Sequence, residues 1–389
     1  MAESSAAAPF TLNWGIMATG HIAKRFAKDL LTDPLVRNTS DVCHRIVAVA
    51  SSTSKEKAEG FCVDVDAPPG QVTAYSSYRE LVADPAIDIV YIATPVSHHF
   101  PNAMLALEAG KHVLCEKTLT VTSSQTEKLI STARAKGLFL MEAVWTRFFP
   151  LSKQIRDMVA SGVIGTVHRV IADASVNKSL ENGELSLEDS HRMINPKLGG
   201  GAMLDLGIYS LTWIMQILYH LQTGEEKEKP HVVAAVDKYR TGVDDMTSFL
   251  VHFPQRKTMG IGMAGLRVAA GGDAEFTGGP AIRIQGSVGE IQVLGSAFKP
   301  HAYRIIRADG GGEVETVDCP FPKDPKRDGW GHGMYWEADE CARCIRDGKT
   351  ESDVLPLEEN LVHLEVMNSV LSQGGVQYPE HITSDIYNP

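Results

Sequence analysis

The sequence lacks an excess of positive charge, a long apolar run and a paired-cysteine framework. Across 389 residues, 37 Lys and Arg stand against 48 Asp and Glu, a formal net charge of −11. Non-specific nucleic-acid binding rests on neutralising phosphates with basic side chains, so no nucleic-acid partner is expected. A local basic pocket for one small phosphate stays compatible with that balance. No segment reaches the ~20 apolar residues of a membrane helix, so no membrane partner is expected either. The nearest, residues 211–221, is broken by Gln216 and His220 and reads as a buried helix. The opening MAESSAAAPF carries Glu3 and no apolar core, so residues 1–10 read as a disordered leader rather than a secretory signal. The six cysteines (43, 62, 115, 319, 341 and 344) are scattered, which fits reduced thiols in the cytoplasm better than disulfides. Cys341 and Cys344 form a CxxC inside a stretch that reads as helix. With no second pair to complete four zinc ligands, no metal is expected. Internal repeats are absent, and glycine clusters only at 271–272 and 310–312 outside the motifs below.

What is present is an ordinary globular composition, 43% hydrophobic and 22% charged, in a chain long enough for roughly two domains. Up to about residue 145, short β-branched runs (14–17, 45–50, 87–93, 112–115 and 138–141) alternate with helical stretches at 22–31, 100–108 and 124–136. The runs are almost continuously apolar, as strands covered on both faces must be. The fold class is therefore α/β: a doubly wound parallel sheet of Rossmann type over 11–145. Residues 146–389 read as an α+β domain for substrate binding and dimerisation. A helix (151–160), a strand (166–174) and a glycine-led long helix are followed from His231 by period-two strands. These imply a large, mostly antiparallel open sheet, with Ser287-Val288-Gly289 as a hairpin whose glycine supplies any positive φ. Helices at 334–346 and 356–372 close the chain.

Four places carry chemistry. In WGIMATGHIAKRF, after the first strand, Ala18-x-Gly20-x-x-Ala23 is a dinucleotide fingerprint lacking its first glycine. The turn Thr19-Gly20-His21-Ile22 would let a diphosphate reach a helix N-terminus, although a tight turn alone also wants glycine. NAD sites place an acid at the end of the second strand; here Ser51, Ser52, Lys55 and Lys57 stand there instead. Hydroxyls and lysines suit the 2′-phosphate of NADP, unless they are only a helix cap and solvated charges. The fourth strand ends at Thr94-Pro95 with His98 and His99 beyond, as caps or as ligands. The fifth ends VLCEKT, delivering Glu116 and Lys117 to the same edge. In GGGAMLDLGIYSL, Asp205 and Tyr209 are four apart, hence on one helical face. They could line a cleft, or serve as a capping acid and a core tyrosine.

Together these stretches resemble the Gfo/Idh/MocA family (glucose–fructose oxidoreductase, inositol dehydrogenase, rhizopine catabolism). The resemblance runs over nearly the whole chain, and ALEAGKHVLCEKT is its specific part. MEAVWTRFFP (141–150), GGGAMLDLGIYSL (199–211) and HGMYWEADECARCIRDGK (332–349) are most similar to the branch of dimeric dihydrodiol dehydrogenases and NADP-dependent D-xylose 1-dehydrogenases. The resemblance implies NADP as cofactor, Lys117 and Tyr209 as catalytic pair, and Asp205 on the substrate side. It places Glu116, Trp145 and Arg147 beside the nicotinamide, with Trp145 also against the substrate. Two residues depart from the family. Thr118 replaces a proline, and the ~2.5–4 kcal/mol of a non-proline cis bond argues against the cis peptide expected there. Ala18 replaces a glycine, which requires a negative φ at that position.

The implied reaction is oxidation of an aldose, D-xylose first, at C1 to the aldonolactone. Lys117 is expected to lower the pKa of Tyr209, the proton acceptor. The alternatives are a trans-dihydrodiol dehydrogenase and a non-catalytic NADP- or sugar-sensing regulator. In the strands from His231 both faces carry large apolar side chains, for example Met246 and Leu250 opposite Phe249 and Phe253. A homodimer joined through these sheets is the expected assembly.

Overall fold

The computed structural model describes residues 8–388 except 225, 269–278, 311–313 and 315. Most of the leader and of the two glycine clusters lies outside the described residues. The uninterrupted apolar runs become parallel strands: β1 (Phe10–Met17), β2 (Val42–Ala50), β3 (Thr73–Tyr75), β4 (Ile89–Ile92), β5 (His112–Glu116) and β6 (Leu140–Ala143). Their order is β3-β2-β1-β4-β5-β6, every pair parallel. Strand order reverses between β1 and β4, which opens a crevice at the carboxyl ends where ligands of such sheets bind. Helices α1 (His21–Leu30), α2 (Lys55–Asp64), α3 (Tyr78–Ala83), α4 (His99–Glu108) and α5 (Ser123–Lys136) make the crossovers. Helix α5 shows the local signals: Thr122 and Gln125 cap it reciprocally, and Gly137 ends it at φ 64°. Such a cap stabilises a helix by ~1 kcal/mol.

The second half begins with α6 (Pro150–Ala160), β7 (Val167–Asp173) and α7 (Ile208–Leu218). Strands β8 (His231–Lys238), β9 (Asp244–Phe253), β10 (Thr258–Gly265), β11 (Ile282–Gly286), β12 (Gly289–Ser296), β13 (Lys299–Arg307) and β14 (Thr316–Asp318) follow. They join β7 in the order β14-β13-β12-β11-β7-β10-β9-β8, antiparallel except at β7–β10. Helix α7 is buried at every residue against the inner face. Gly260 permits that approach, because a Cβ there would stand 2.3 Å from Ile214. The apolar stretch Pro196–Leu218 is long enough to cross a membrane by length and composition, yet it is buried inside the protein. In the β11–β12 hairpin Gly289 is not at positive φ, contrary to expectation. A side chain there would press within 2.7 Å of the Ile306 carbonyl, so close strand approach is what requires glycine.

The outer face of this sheet is two-toned. Met246 and Val233 are exposed, with Leu250, Met259, Ile261 and Met263 half-buried beside them. Toward β12 the face turns polar, with Arg283 paired to Glu290 and Arg304 donating to Gln292.

The chain then returns. Helix α8 (Tyr335–Arg346) packs on α1, β1 and β2, and α9 (Leu357–Gln373) packs on α5, before the short α10 (Glu380–Thr383). Asp339 of α8 forms a bidentate, fully buried pair with Arg37 at 2.8 Å. Asp29 of α1 accepts from the Trp330 indole and from the main-chain amides of His332, Gly333 and Met334.

Candidate active site

Strand β5 ends by presenting Lys117 to the crevice. The Lys117–Thr118 peptide is cis although no proline is present. Thr118 donates to the Leu204 carbonyl at 2.7 Å, tying the strand end to the second half of the chain. Opposite it the glycine-rich entry forms a π-helical turn, Met203–Gly207, before α7 begins. A Cβ on Gly200 would lie within 3 Å of three main-chain atoms, and Gly201 has φ 129° with the Asp244 carboxylate against it. Asp244 caps the turn through the Met203 amide at 2.6 Å and the Thr247 hydroxyl. This widened turn is a form common at functional sites, and it carries Asp205 to Lys117. Lys117 Nζ donates to the Asp205 carbonyl oxygen (2.5 Å) and to Oδ1 (2.9 Å), and lies 5.0 Å from the Tyr209 ring centre. Trp145 follows β6 in a 3₁₀ turn and donates its indole N–H to the Tyr209 hydroxyl at 3.0 Å. Phe298 flanks the tyrosine ring at 5.8 Å, and His332 stacks on Trp145 at 4.8 Å.

Burial and charge compete here. Burial disfavours the Lys117 ammonium, but Asp205 and Tyr209 together hold its pKa above the ordinary lysine value. Burial likewise opposes ionisation of Asp205, yet Lys117 and Arg192 keep its carboxyl well below the usual range. For Tyr209 burial wins: its pKa is pushed up to about 12 despite the Lys117 charge. Lys117 does lower the phenol's pKa as expected, but burial is the larger effect and leaves the net value above the ordinary one. A low-dielectric site penalises the phenolate more than one ammonium, itself shared with Asp205, favours it.

The opposite side of the crevice is α1. No side chain caps its N-terminus, and its first helical bond is Lys24 N–H to the Gly20 carbonyl. The amides of His21, Ile22 and Ala23 therefore lack helical partners. A Cβ built on Gly20 meets no protein atom within 4 Å, so the space before these donors is open. Uncapped amides facing open space fit the diphosphate of a dinucleotide. Thr19 is half-buried in the preceding turn. Ala18 has φ 85°, not the negative value its methyl requires: the tight turn after β1 imposes the left-handed region regardless. At the end of β2, Ser52 and Lys57 are exposed and no acid stands before Glu56, while Ser51 is buried and accepts from the Thr53 amide.

A family description, "Oxidoreductase family, NAD-binding Rossmann fold", matches residues 12–144. A second, "GFO/IDH/MocA C-terminal domain", matches residues 152–292. The chain belongs to the Gfo/Idh/MocA oxidoreductase family. Within that family it is 58% identical over 382 residues to a D-xylose 1-dehydrogenase (NADP(+)) of Hypocrea jecorina, covering 98% of this chain and 96% of that protein. It is 32% identical to the trans-1,2-dihydrobenzene-1,2-diol dehydrogenase of Homo sapiens, covering 95% and 98%. Two solved structures share the fold. An aldose-aldose oxidoreductase from Caulobacter crescentus, complexed with glycerol, superposes with TM-score 0.73 at 24% identity over 94% of this chain and 98% of that one. KijD10, a 3-ketoreductase from Actinomadura kijaniata in complex with NADP and TDP-benzene, gives 0.72 at 22% identity over 93% and 98%.

In this Gfo/Idh/MocA chain the fold brings Lys117, Asp205, Tyr209 and Trp145 together. Glu116 lies beneath them, accepting from the Tyr91 hydroxyl at 2.5 Å and the Lys117 amide. Thr94 is half-buried and accepts from Asn102. His98 is exposed and bonded to Ser97. It is His99 that is anchored, between the Thr118 and Thr94 carbonyls at 2.8 and 2.9 Å. Arg147 is a correction. Expected beside the nicotinamide, it is fully buried and paired with Glu359 at 2.9 Å, with Nε on the Val354 carbonyl. Its turn directs Trp145 to the cleft and Arg147 into the core. Three site neighbours escaped the sequence: Arg192, which donates to Asp205 at 3.1 Å, Phe298 and His332. Arg192 lies in an aperiodic loop; the nearby glycine run was its only signal.

Proposed function

We propose that the protein oxidises an aldose, D-xylose foremost, at C1 to the aldonolactone with NADP⁺. The observation that carries this reading is the Lys117–Asp205–Tyr209–Trp145 cluster at the carboxyl edge of a dinucleotide-type sheet. It occurs in a chain 58% identical to a D-xylose 1-dehydrogenase (NADP(+)). Bound NADP⁺ supplies the hydride acceptor. The residues suited to hold it are Thr19, Gly20, His21 and Ile22 for the diphosphate, and Ser52 and Lys57 for the 2′-phosphate.

The chain's own groups bind and orient the sugar and move its proton. Two Lys117 hydrogens are engaged by Asp205, which leaves one for a substrate hydroxyl. The Tyr209 oxygen accepts from Trp145, so its remaining lone pair and its hydrogen are available to the substrate. That oxygen, as phenolate, takes the proton leaving the C1 hydroxyl. Lys117 stays cationic and stabilises negative charge on both oxygens. The indole of Trp145 and the ring of Phe298 offer apolar faces to sugar C–H groups. Those same faces support a second reading, oxidation of an arene trans-dihydrodiol, the activity named for a relative 32% identical.

A turnover screen of pentoses, hexoses and an arene trans-dihydrodiol, each with NADP⁺ and NAD⁺, tests both. D-Xylose with NADP⁺ is expected to give the highest kcat/KM. Oxidation of the dihydrodiol without turnover of any aldose selects the second reading, and a preference for NAD⁺ refutes the reading of the β2 end. We infer further that two chains pair through the outer face of the β7–β14 sheet. The six free cysteines fit a reducing compartment such as the cytoplasm.

A further inference from the structure

His332 is held between two cationic side chains. Lys299 Nζ lies 2.8 Å from its Nδ1, and Arg25 Nη1 lies 3.2 Å from its Nε2. A neutral imidazole has one accepting nitrogen and one N–H. Burial together with the Lys299 and Arg25 charges pushes the His332 pKa down to about 3, so the ring is neutral at working pH. With Lys299 and Arg25 both donors, whichever tautomer is present leaves one N–H facing a donor. The arrangement has one accepting nitrogen for two cationic donors, and one N–H turned toward a donor.

One carboxylate offsets the charge only in part. Among the described residues, the acid acting on Lys299 is Asp29, whose two oxygens already accept four hydrogen bonds from the 330–334 loop. Lys323 adds a further positive charge near Lys299. An excess of cationic donors over acceptors, in a protein of net charge −11, leaves a place for an anion. Its place narrows the choice. Arg25 is one helical turn beyond His21, the first residue of α1, so the cluster flanks the uncapped amides. On its other side His332 stacks on Trp145, whose indole holds the Tyr209 hydroxyl.

We propose that Arg25, Lys299 and His332 form an anion subsite that clamps the dinucleotide diphosphate from the side opposite the α1 amides. Phosphate oxygens would accept from all three side chains, so the unmatched donors in the cofactor-free protein find partners on binding. The clamp joins the two halves of the chain, because Arg25 comes from α1 and the other two come from the second half. It also couples diphosphate occupancy, through His332 and Trp145, to the position of the Tyr209 phenol. The inference rests on the dinucleotide reading above.

Isothermal titration of wild type, Arg25→Gln and Lys299→Gln with NADP⁺, NAD⁺ and adenosine 2′-monophosphate tests it, with inorganic pyrophosphate as competitor. Each substitution is expected to weaken NADP⁺ and NAD⁺ by the same factor, about tenfold, and to flatten the salt dependence of binding. Adenosine 2′-monophosphate should be unaffected, and pyrophosphate should displace NADP⁺ from wild type at lower concentration than from either variant. The melting temperature of the cofactor-free variants should stay level or rise, since like charges are being removed. A loss confined to NADP⁺ and adenosine 2′-monophosphate would assign the cluster to the 2′-phosphate and overturn the proposal. Unchanged cofactor affinity with a raised sugar KM, or with a lowered melting temperature, overturns it as well. Wild type that binds neither dinucleotide defeats the functional reading itself, whereas wild-type-like binding by both variants refutes the clamp alone.

Discussion

Tyr209 is the residue on which the proposed chemistry depends most. Its pKa of about 12 leaves little phenolate at neutral pH, and the phenolate share rises about tenfold per pH unit below that value. For sugar oxidation, log kcat/KM should therefore climb with a slope near one from pH 7 to 10 and show no plateau. A plateau already reached near pH 7 would direct attention to Glu142, whose carboxyl is pushed up to about 7 by burial. Tyr209→Phe should lower kcat by ~10²–10⁴ and remove that slope. If sugar affinity falls while kcat holds, the tyrosine only binds. Ala18 makes a second prediction at this scale. An alanine at φ 85° carries the left-handed cost of ~1–2 kcal/mol, partly offset by the greater unfolded-state freedom of glycine. Ala18→Gly should raise stability by about 0.5–1 kcal/mol in urea unfolding. A loss of stability would show that the methyl makes a contact worth more than the strain.

Among the elements, the parallel strands were the most legible part of the sequence. Strands covered on both faces need unbroken apolar runs, and five such runs fall within β1, β2, β4, β5 and β6 or overlap them. β3 was not, because Thr73–Tyr75 is a three-residue edge strand with no apolar run. Lys117, Asp205 and Tyr209 could be singled out because a strand end and a glycine-led helix entry are local motifs, whereas Trp145 was reached only through the family resemblance. Arg147 could not, because its partner Glu359 lies on α9, far along the chain, and nothing local reveals the pairing. The π-helical form of Met203–Gly207 was equally hidden: a four-residue spacing reads as ordinary helix. The Arg147 cluster gives the test at this scale. Burial opposes ionisation of Glu359, yet Arg147 and His220 hold its carboxyl well below the usual range. Glu359→Gln leaves a fully buried guanidinium without its anion, a loss of ~3–5 kcal/mol. That destabilisation is expected with NADP⁺ affinity little changed. A large fall in cofactor affinity at full stability would restore Arg147 to the cofactor.

At the scale of the whole molecule, the outer face of the β7–β14 sheet is the surface on which the proposed dimer rests. The apolar side chains of β8, β9 and β10 adjoin one another there, and contiguous exposed apolar area is unusual on a monomer. In the proposed dimer the same patch on two copies would pair across a two-fold axis, each using the surface the other offers. Light scattering at micromolar concentration should give about twice the 42.3 kDa chain mass. Ile261→Arg, at the middle of β10, should return it to a single-chain mass. A single-chain mass for wild type, or an unchanged dimer in the variant, would place the interface elsewhere or remove it.

The return of the chain onto α1 has a consequence for portability. A nucleotide-binding half that could be lifted out and grafted elsewhere would have to carry its own lid, and this one does not. Asp29 and Arg37 are satisfied by the 330–334 loop and by Asp339, so a fragment ending near residue 145 strands a buried carboxylate and a buried guanidinium together. Such a fragment should be insoluble or open to proteolysis when produced alone. Co-expression with residues 324–388 as a second piece should rescue it in soluble form. A stable, protease-resistant fragment 8–145 by itself would show instead that the two halves are interchangeable parts.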